Sequence, residues 1–180
     1  SIYLSRHTFS RNPILIILGD TIFDVDLKSM IANQQTQIGV KYVDDPRRFG
    51  VAETIDGRIA HLIEKPEEPK SNLAVVGLYY ITQPQLLVEC LKDMIKSNTR
   101  TKNEYQLTDA LQMMIERGEH MKTFLVEGWF DCGKPETLLS TNQHLLGLLP
   151  APTPIKGVVI RPPVFISKEA KVSNAIIGPN

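Results

Sequence analysis

The chain has 180 residues, enough for one domain with a sizeable core and a small appendage, and it balances 20 Lys plus Arg against 20 Asp plus Glu. That neutrality, with no long basic run, lacks the electrostatic footprint of a nucleic-acid binder and points to a small polar partner. The two cysteines, Cys90 and Cys132, fit no metal spacing and, with no signal-peptide pattern, read as reduced thiols of the cytoplasm; the longest apolar run, Ile14–Leu18, is too short to span a bilayer.

Residues 1–9 (SIYLSRHTF) read as the last turns of a helix, so that the chain enters in mid-fold before the apolar strand ILIIL (14–18). That strand runs straight into three acids, Asp20, Asp24 and Asp26. Each suits a turn or helix cap, because the Asp side chain bonds nearby amides; a carboxylate at the end of a buried strand also lies where open α/β sheets place ligands. Asp26 is the candidate N-cap of a helix over Leu27–Gln35. QIGVKYV (37–43) reads as a strand, and residues 51–65 as a hairpin about Asp56-Gly57.

LAVVGLYYI (73–81) is the next strand, followed by a helix over Pro84–Ile95, with Pro84 suited to its first turn. Thr108–Arg117 reads as a helix with Thr108 as N-cap, Asp109 favourable to the dipole and Gly118 as the stop. MKTFLVE (121–127) is a strand, GWFDCGKPE (128–136) a loop, and Pro135 to about Leu146 a helix. Alternating strands and helices give an α/β fold with a mixed, mostly parallel sheet flanked by helices.

Three prolines at 150, 152 and 154 mark a linker over 147–156. Beyond it, Val158, Val164, Ala170 and Ile176 recur every sixth position, with Ile160, Ile166 and Val172 in a second register. This is the hexapeptide pattern of a parallel β-helix, begun over 157–180; an ordinary tail strand is the plainer alternative.

Neither GxGxxG nor GxxxxGK[ST] is present, so a dehydrogenase or P-loop enzyme has no anchor. His7, His61, His120 and His144 are scattered and read as surface or structural. Five patches carry what chemistry there is: LGD (18–20), RRFGVAE (47–53), IEKPEEPKSN (63–72), NEYQLTD (103–109) and GWFDCGKPE (128–136). Taken singly, Lys65 could be a solvated strand-end lysine and Asp131 a turn residue.

In this order the patches resemble the sugar-1-phosphate nucleotidyltransferases, most closely the glucose-1-phosphate thymidylyltransferase group, over residues 1–146. The resemblance implies a nucleotide-diphospho-sugar transferase-like fold, N-terminally truncated, with residues 1–146 as its sugar- and metal-binding part and a left-handed β-helix beginning at 157. The implied reaction is attack of a sugar 1-phosphate on the α-phosphate of a nucleoside triphosphate, with dTTP or UTP and glucose 1-phosphate as substrates. It further implies Asp20 and Asp131 as the carboxylates for Mg²⁺, an arrangement usual for that ion, and Asp20, Lys65 and Asp131 as the catalytic set. Lys65 would grip the sugar phosphate and Glu64 accept from sugar hydroxyls, with Gly50, the backbone near Asn72 and Val75, and Glu104 completing the cradle. Asp24 and Asp26 receive no role in the resemblance and stay turn and cap residues.

The family's glycine-rich loop, of the form GGxGTRLxP, is not among these residues. The 180 residues alone are therefore expected to be inactive and to associate through an open ILIIL edge, a homo-oligomer in the cytoplasm that touches neither nucleic acid nor membrane. A non-catalytic sugar-phosphate-binding or regulatory module is one alternative. A glycosyltransferase using Asp24-Val-Asp26 as a DxD metal motif is another, but it leaves EKP and WFDCG unexplained.

Overall fold

The computed structural model describes residues 2–179. They form two compact units that divide between Trp129 and Phe130.

The first unit is built on a six-stranded sheet in which β3 (Gln37–Tyr42), β4 (Gly50–Ile55), β5 (Arg58–Glu64), β6 (Leu73–Ile81) and β7 (Lys122–Leu125) follow the order β5-β4-β6-β3-β7, and β1 (Ile14–Ile17) also pairs with β6. All nine residues of β6 are buried. Leu73, Val75, Tyr79 and Ile81 enter one core, and Val76, Leu78 and Tyr80 the other. This two-residue alternation explains why LAVVGLYYI is apolar throughout: both sides of the strand are covered.

On the first face lie α2 (Pro84–Lys96) and α3 (Leu107–Glu116), which bury Leu87, Cys90, Leu91 and Met94 together with Ala110, Leu111 and Met114. On the second lies Met30 of α1 (Leu27–Ala32). The Asp26 carboxylate accepts from the amides of Lys28 and Ser29, as a cap should. The β4–β5 turn has positive φ at both Asp56 and Gly57, as the Asp-Gly hairpin signal requires.

The sheet is mixed, but the expectation of a mostly parallel one is corrected. Only β3–β7 is parallel, whereas β1–β6, β3–β6, β4–β5 and β4–β6 are antiparallel. The central strand β6 runs opposite to each of its neighbours β1, β3 and β4, and the one parallel pair joins β3 to β7, which lies about eighty residues further along the chain, beyond the intervening strands and helices.

Other corrections are local. The start is not the end of an α-helix but a 3₁₀ turn, Arg6–Thr8. Asp24 ends a short strand, β2 (Thr21–Asp24), and GWFD opens as a strand rather than a loop, β8 (Gly128–Asp131). The two form their own ladder, and at its close approach a Cβ on Gly128 would run into Asp24. Thr108 is not the cap of α3: Gln106 holds that position and makes no side-chain cap bond.

Among the described residues β1 has no ladder partner besides β6, and Leu15, Ile17 and Leu18 are exposed. At its end Leu18 lies against Gly77, whose φ of +84° and crowded Cα position both demand glycine.

The second unit holds α4 (Pro135–Gly147), the proline stretch and a ladder of β9 (Val158–Ile160) with β10 (Ala175–Ile177). That ladder is parallel, and it pairs Val158 with Ala175 and Ile160 with Ile177. Ile176 therefore faces out, 66% exposed, instead of sharing an inner face with Val158 as the six-residue period expects. The second register, Ile160, Ile166 and Val172, stays half-buried. A groove of about 600 Å³ runs between the proline stretch and the segment Val164–Val172.

Candidate functional site

Three segments of the first unit meet at Glu64. The strand end of β5 supplies Glu64 and Lys65, the start of β4 supplies Gly50, and the first turn of α3 supplies Thr108. Thr108 Oγ1 donates to Glu64 Oε2 at 2.7 Å, and Lys65 Nζ lies 3.6 Å from Glu64 Oε1. The Lys65 amide donates to the Phe49 carbonyl, which fixes the strand end beside Gly50. Lys65 itself has φ +46°, a conformation that costs a non-glycine residue energy and marks a backbone over-determined by its surroundings.

Lys65 opens into a groove of about 650 Å³ lined also by Arg47, Arg48, Pro66, Glu67 and Lys102. Arg47 is tied to Asp45 by two hydrogen bonds, and Lys102 is 3.5 Å from Glu67. Arg48 makes no ion pair among the described residues. Four cations against one carboxylate, on a chain of zero net charge, suit an anionic ligand.

Beneath the site, the Tyr79 phenol is held protonated, its pKa raised first by burial and then by the charges of Glu64 and Asp20. Asp20 sits in the exposed turn after β1, with no hydrogen bond or ion pair on its carboxylate among the described residues. One buried Oδ of Asp109 and the Trp129 indole N–H also lack partners. Trp129 packs edge-to-face against Phe49, with ring centres 5.0 Å apart.

The remaining expected residues are placed differently. The Asn72 side chain donates to the Val43 carbonyl and ties β3 to β6. Val75 is a core residue opposite Val40. Glu104 accepts from Gln106 and does not line the Lys65 groove. In the second unit, Asp131 Oδ1 accepts the Gly133 amide in a tight turn, which leaves Oδ2 open. Among the described residues no three His, Cys, Asp or Glu side chains gather as a metal site, and Asp26, spent on its helix cap, is a poor DxD ligand.

Sequence reasoning missed Thr108 as a partner of Glu64, Tyr79, and the cations Arg47, Arg48 and Lys102. The Arg-Arg pair beside Phe49-Gly50 was a usable signal. The Thr108 and Tyr79 contacts had none, since both residues suit their helix and strand without them.

Residues 1–147 match the family model described as nucleotidyl transferase. The chain belongs to that family. It is 34% identical over 189 aligned positions to the glucose-1-phosphate thymidylyltransferase of Streptomyces antibioticus, a match covering 98% of this chain and 52% of that protein. It is 32% identical over 142 residues to the low-salt glycan biosynthesis nucleotidyltransferase Agl11 of Haloferax volcanii, covering 75% of this chain and 38% of that one. A solved UDP-glucose pyrophosphorylase complexed with UDP-glucose superposes with a TM-score of 0.66 at 27% identity, over 81% of this chain and 60% of that one. The chain thus spans between about a third and about a half of these curated relatives' lengths. No helix among the described residues is long and apolar enough to cross a membrane.

Proposed function

We infer that the whole protein transfers a nucleotidyl group from a nucleoside triphosphate, dTTP or UTP, to glucose 1-phosphate, giving a nucleotide sugar and pyrophosphate. One observation carries this reading: a fixed carboxylate, Glu64, stands beside Lys65 at the mouth of a cationic groove. A sugar 1-phosphate needs that pairing, an acceptor for hydroxyls beside positive charge for a phosphate. Family membership and the relatives' names agree with it.

The reaction needs no covalent intermediate on the protein, so the work of these residues is placement and charge balance. Lys65 holds the phosphate with Arg48 beside it. Glu64 orients the sugar against the Gly50 backbone, and the backbone near Asn72 and Val75 lines the cradle. Asp20 and Asp131 are the residues for Mg²⁺. Each offers a hard carboxylate oxygen without a cationic partner, and the ion supplies charge neutralisation of the phosphates.

The domain reading places catalysis in 1–146, a linker at 147–156 and the start of a left-handed β-helix at 157–180; the parallel β9–β10 ladder supports the last. The open β1 edge supports association between copies, and the free thiols of Cys90 and Cys132 suit the cytoplasm. With no glycine-rich phosphate loop, the 180 residues bind sugar phosphate without turnover; pyrophosphate release by this chain would overturn that part.

Calorimetric titration with glucose 1-phosphate tests the site itself. Lys65→Ala should weaken binding about tenfold or more, as for loss of a charge-assisted contact. Equal affinity in the two proteins would remove Lys65 from the site.

A further inference from the structure

At the opposite end of β5 from Lys65, a second polar cavity, of about 430 Å³, opens between the β4–β5 turn, the start of β3, the end of β6 and the turn after α3. It shares no lining residue with the Lys65 groove, and the length of β5, about 20 Å for a strand of 7 residues, separates the two. Backbone contacts fix its walls. The Ile59 amide donates to the Met121 carbonyl at 2.9 Å and the Lys122 amide to the Thr36 carbonyl at 3.0 Å, so the hairpin and β7 are both tied at this end of the sheet. Gly118, with φ +94°, turns the chain out of α3, and the Glu119 amide returns to the Met114 carbonyl.

The base of the cavity is built around Glu119. Thr36, only 1% exposed, donates to its Oε1. The Thr82 hydroxyl lies 3.4 Å from the same oxygen and 2.8 Å from Thr36 Oγ1, which also accepts the Thr82 amide. One carboxylate oxygen is thus held by the sheet, while Oε2 has no hydrogen bond among the described residues. Around it stand Arg58, Lys122 and Asp56, none of them in an ion pair among the described residues. Two cations and two carboxylates line one cavity without closing on each other. Their charges balance, so the cavity favours neither a bare anion nor a bare cation. Nor do Asp56, Glu119 and His120 gather as a metal site.

We propose that this cavity binds a small zwitterion, an α-amino acid with a polar side chain: Arg58 and Lys122 take its carboxylate, and the open oxygen of Glu119 takes its ammonium. The Arg58 fork matches a carboxylate. Glu119 is already fixed by its threonines, so little side-chain order is lost when the ammonium docks. Gln34 and Gln35 at the rim offer amides to the polar side chain, and the volume lies within the range of small-molecule sites. The proposal goes beyond the sugar-phosphate reading and does not depend on it.

The test is calorimetric titration of the 180-residue chain with L-serine and L-glutamine. The controls are acetate, which lacks the ammonium, methylammonium, which lacks the carboxylate, and glycine betaine, whose quaternary nitrogen has no proton to donate. Both amino acids should bind at least about tenfold more tightly than any control, the low end for a hydrogen bond to a charged group. Arg58→Ala, in the exposed hairpin, should weaken both by about tenfold. Glu119→Gln should bring L-serine down to the affinity of betaine, and Lys65→Ala should change nothing. Should Glu119→Gln unsettle the threonine pair, Arg58→Ala and the betaine comparison decide the matter without it.

Either amino acid binding no more tightly than acetate or betaine overturns the proposal, as does binding that survives Arg58→Ala or is lost in Lys65→Ala.

Discussion

The two units differ in what holds each together. Every residue of both hydrophobic cores lies at or before Trp129, whereas among the described residues after it only Thr141 is buried. The second unit instead exposes Leu139, Leu148, Phe165 and Ile176, each by more than 60%. Its α4 is marked by a proline start and its ladder by backbone pairing, and neither is seated in a core of its own. Local signals are thus enough to shape an element, but burial of apolar surface gives it most of its stability.

Core truncation breaks that contrast most directly. Leu87→Ala in the first unit, where the side chain is fully buried, should cost about 2–5 kcal/mol, the usual range for a Leu-sized cavity. Leu139→Ala in the second, 69% exposed, should stay within about 0.5 kcal/mol. Urea unfolding of both variants measures the difference, and comparable losses would mean that α4 is seated more deeply than its exposure shows.

Hydrogen exchange sharpens the same contrast without mutation. Amides of β6 should open only with global unfolding, whereas those after Gly147 should exchange orders of magnitude faster. Protection of β9 and β10 equal to that of β6 would count against the division.

The smallest effect concerns a surface tie within the first unit. Arg117, at the end of α3, donates to Asp93 of α2 at 2.8 Å and holds that carboxyl below its ordinary pKa. A depressed folded-state pKa contributes stability above the unfolded value, about 3.9, and loses it as pH falls through the folded one. Asp93→Asn should therefore flatten the pH dependence of the unfolding midpoint below about pH 4 and leave it slightly lowered at neutrality. An unchanged acid slope would show that the pair is not formed in solution.

Sequence reading did well where a signal is local. The limits of β6, the Asp56-Gly57 turn, the Asp26 cap and the start of α2 at Pro84 all follow from residue type and short-range periodicity. It failed at β2 and β8, four-residue segments that read as turn and loop because each becomes a strand only beside a partner distant in the chain. Of the candidate site, Gly50, Glu64 and Lys65 were legible and the structure brings them together, whereas Val75 lies in the core and Glu104 lies off the groove.

By itself the sequence determined the α/β class, most element types and the motif set that marks the nucleotidyl transferase family, since each is written in neighbouring residues. Tertiary structure alone decided that the sheet is mostly antiparallel, that Thr108 serves Glu64 rather than its helix, and that Arg47, Arg48 and Lys102 line one groove with Lys65. Those outcomes depend on which surfaces meet when the chain closes, and no window along the sequence contains both partners of such a contact.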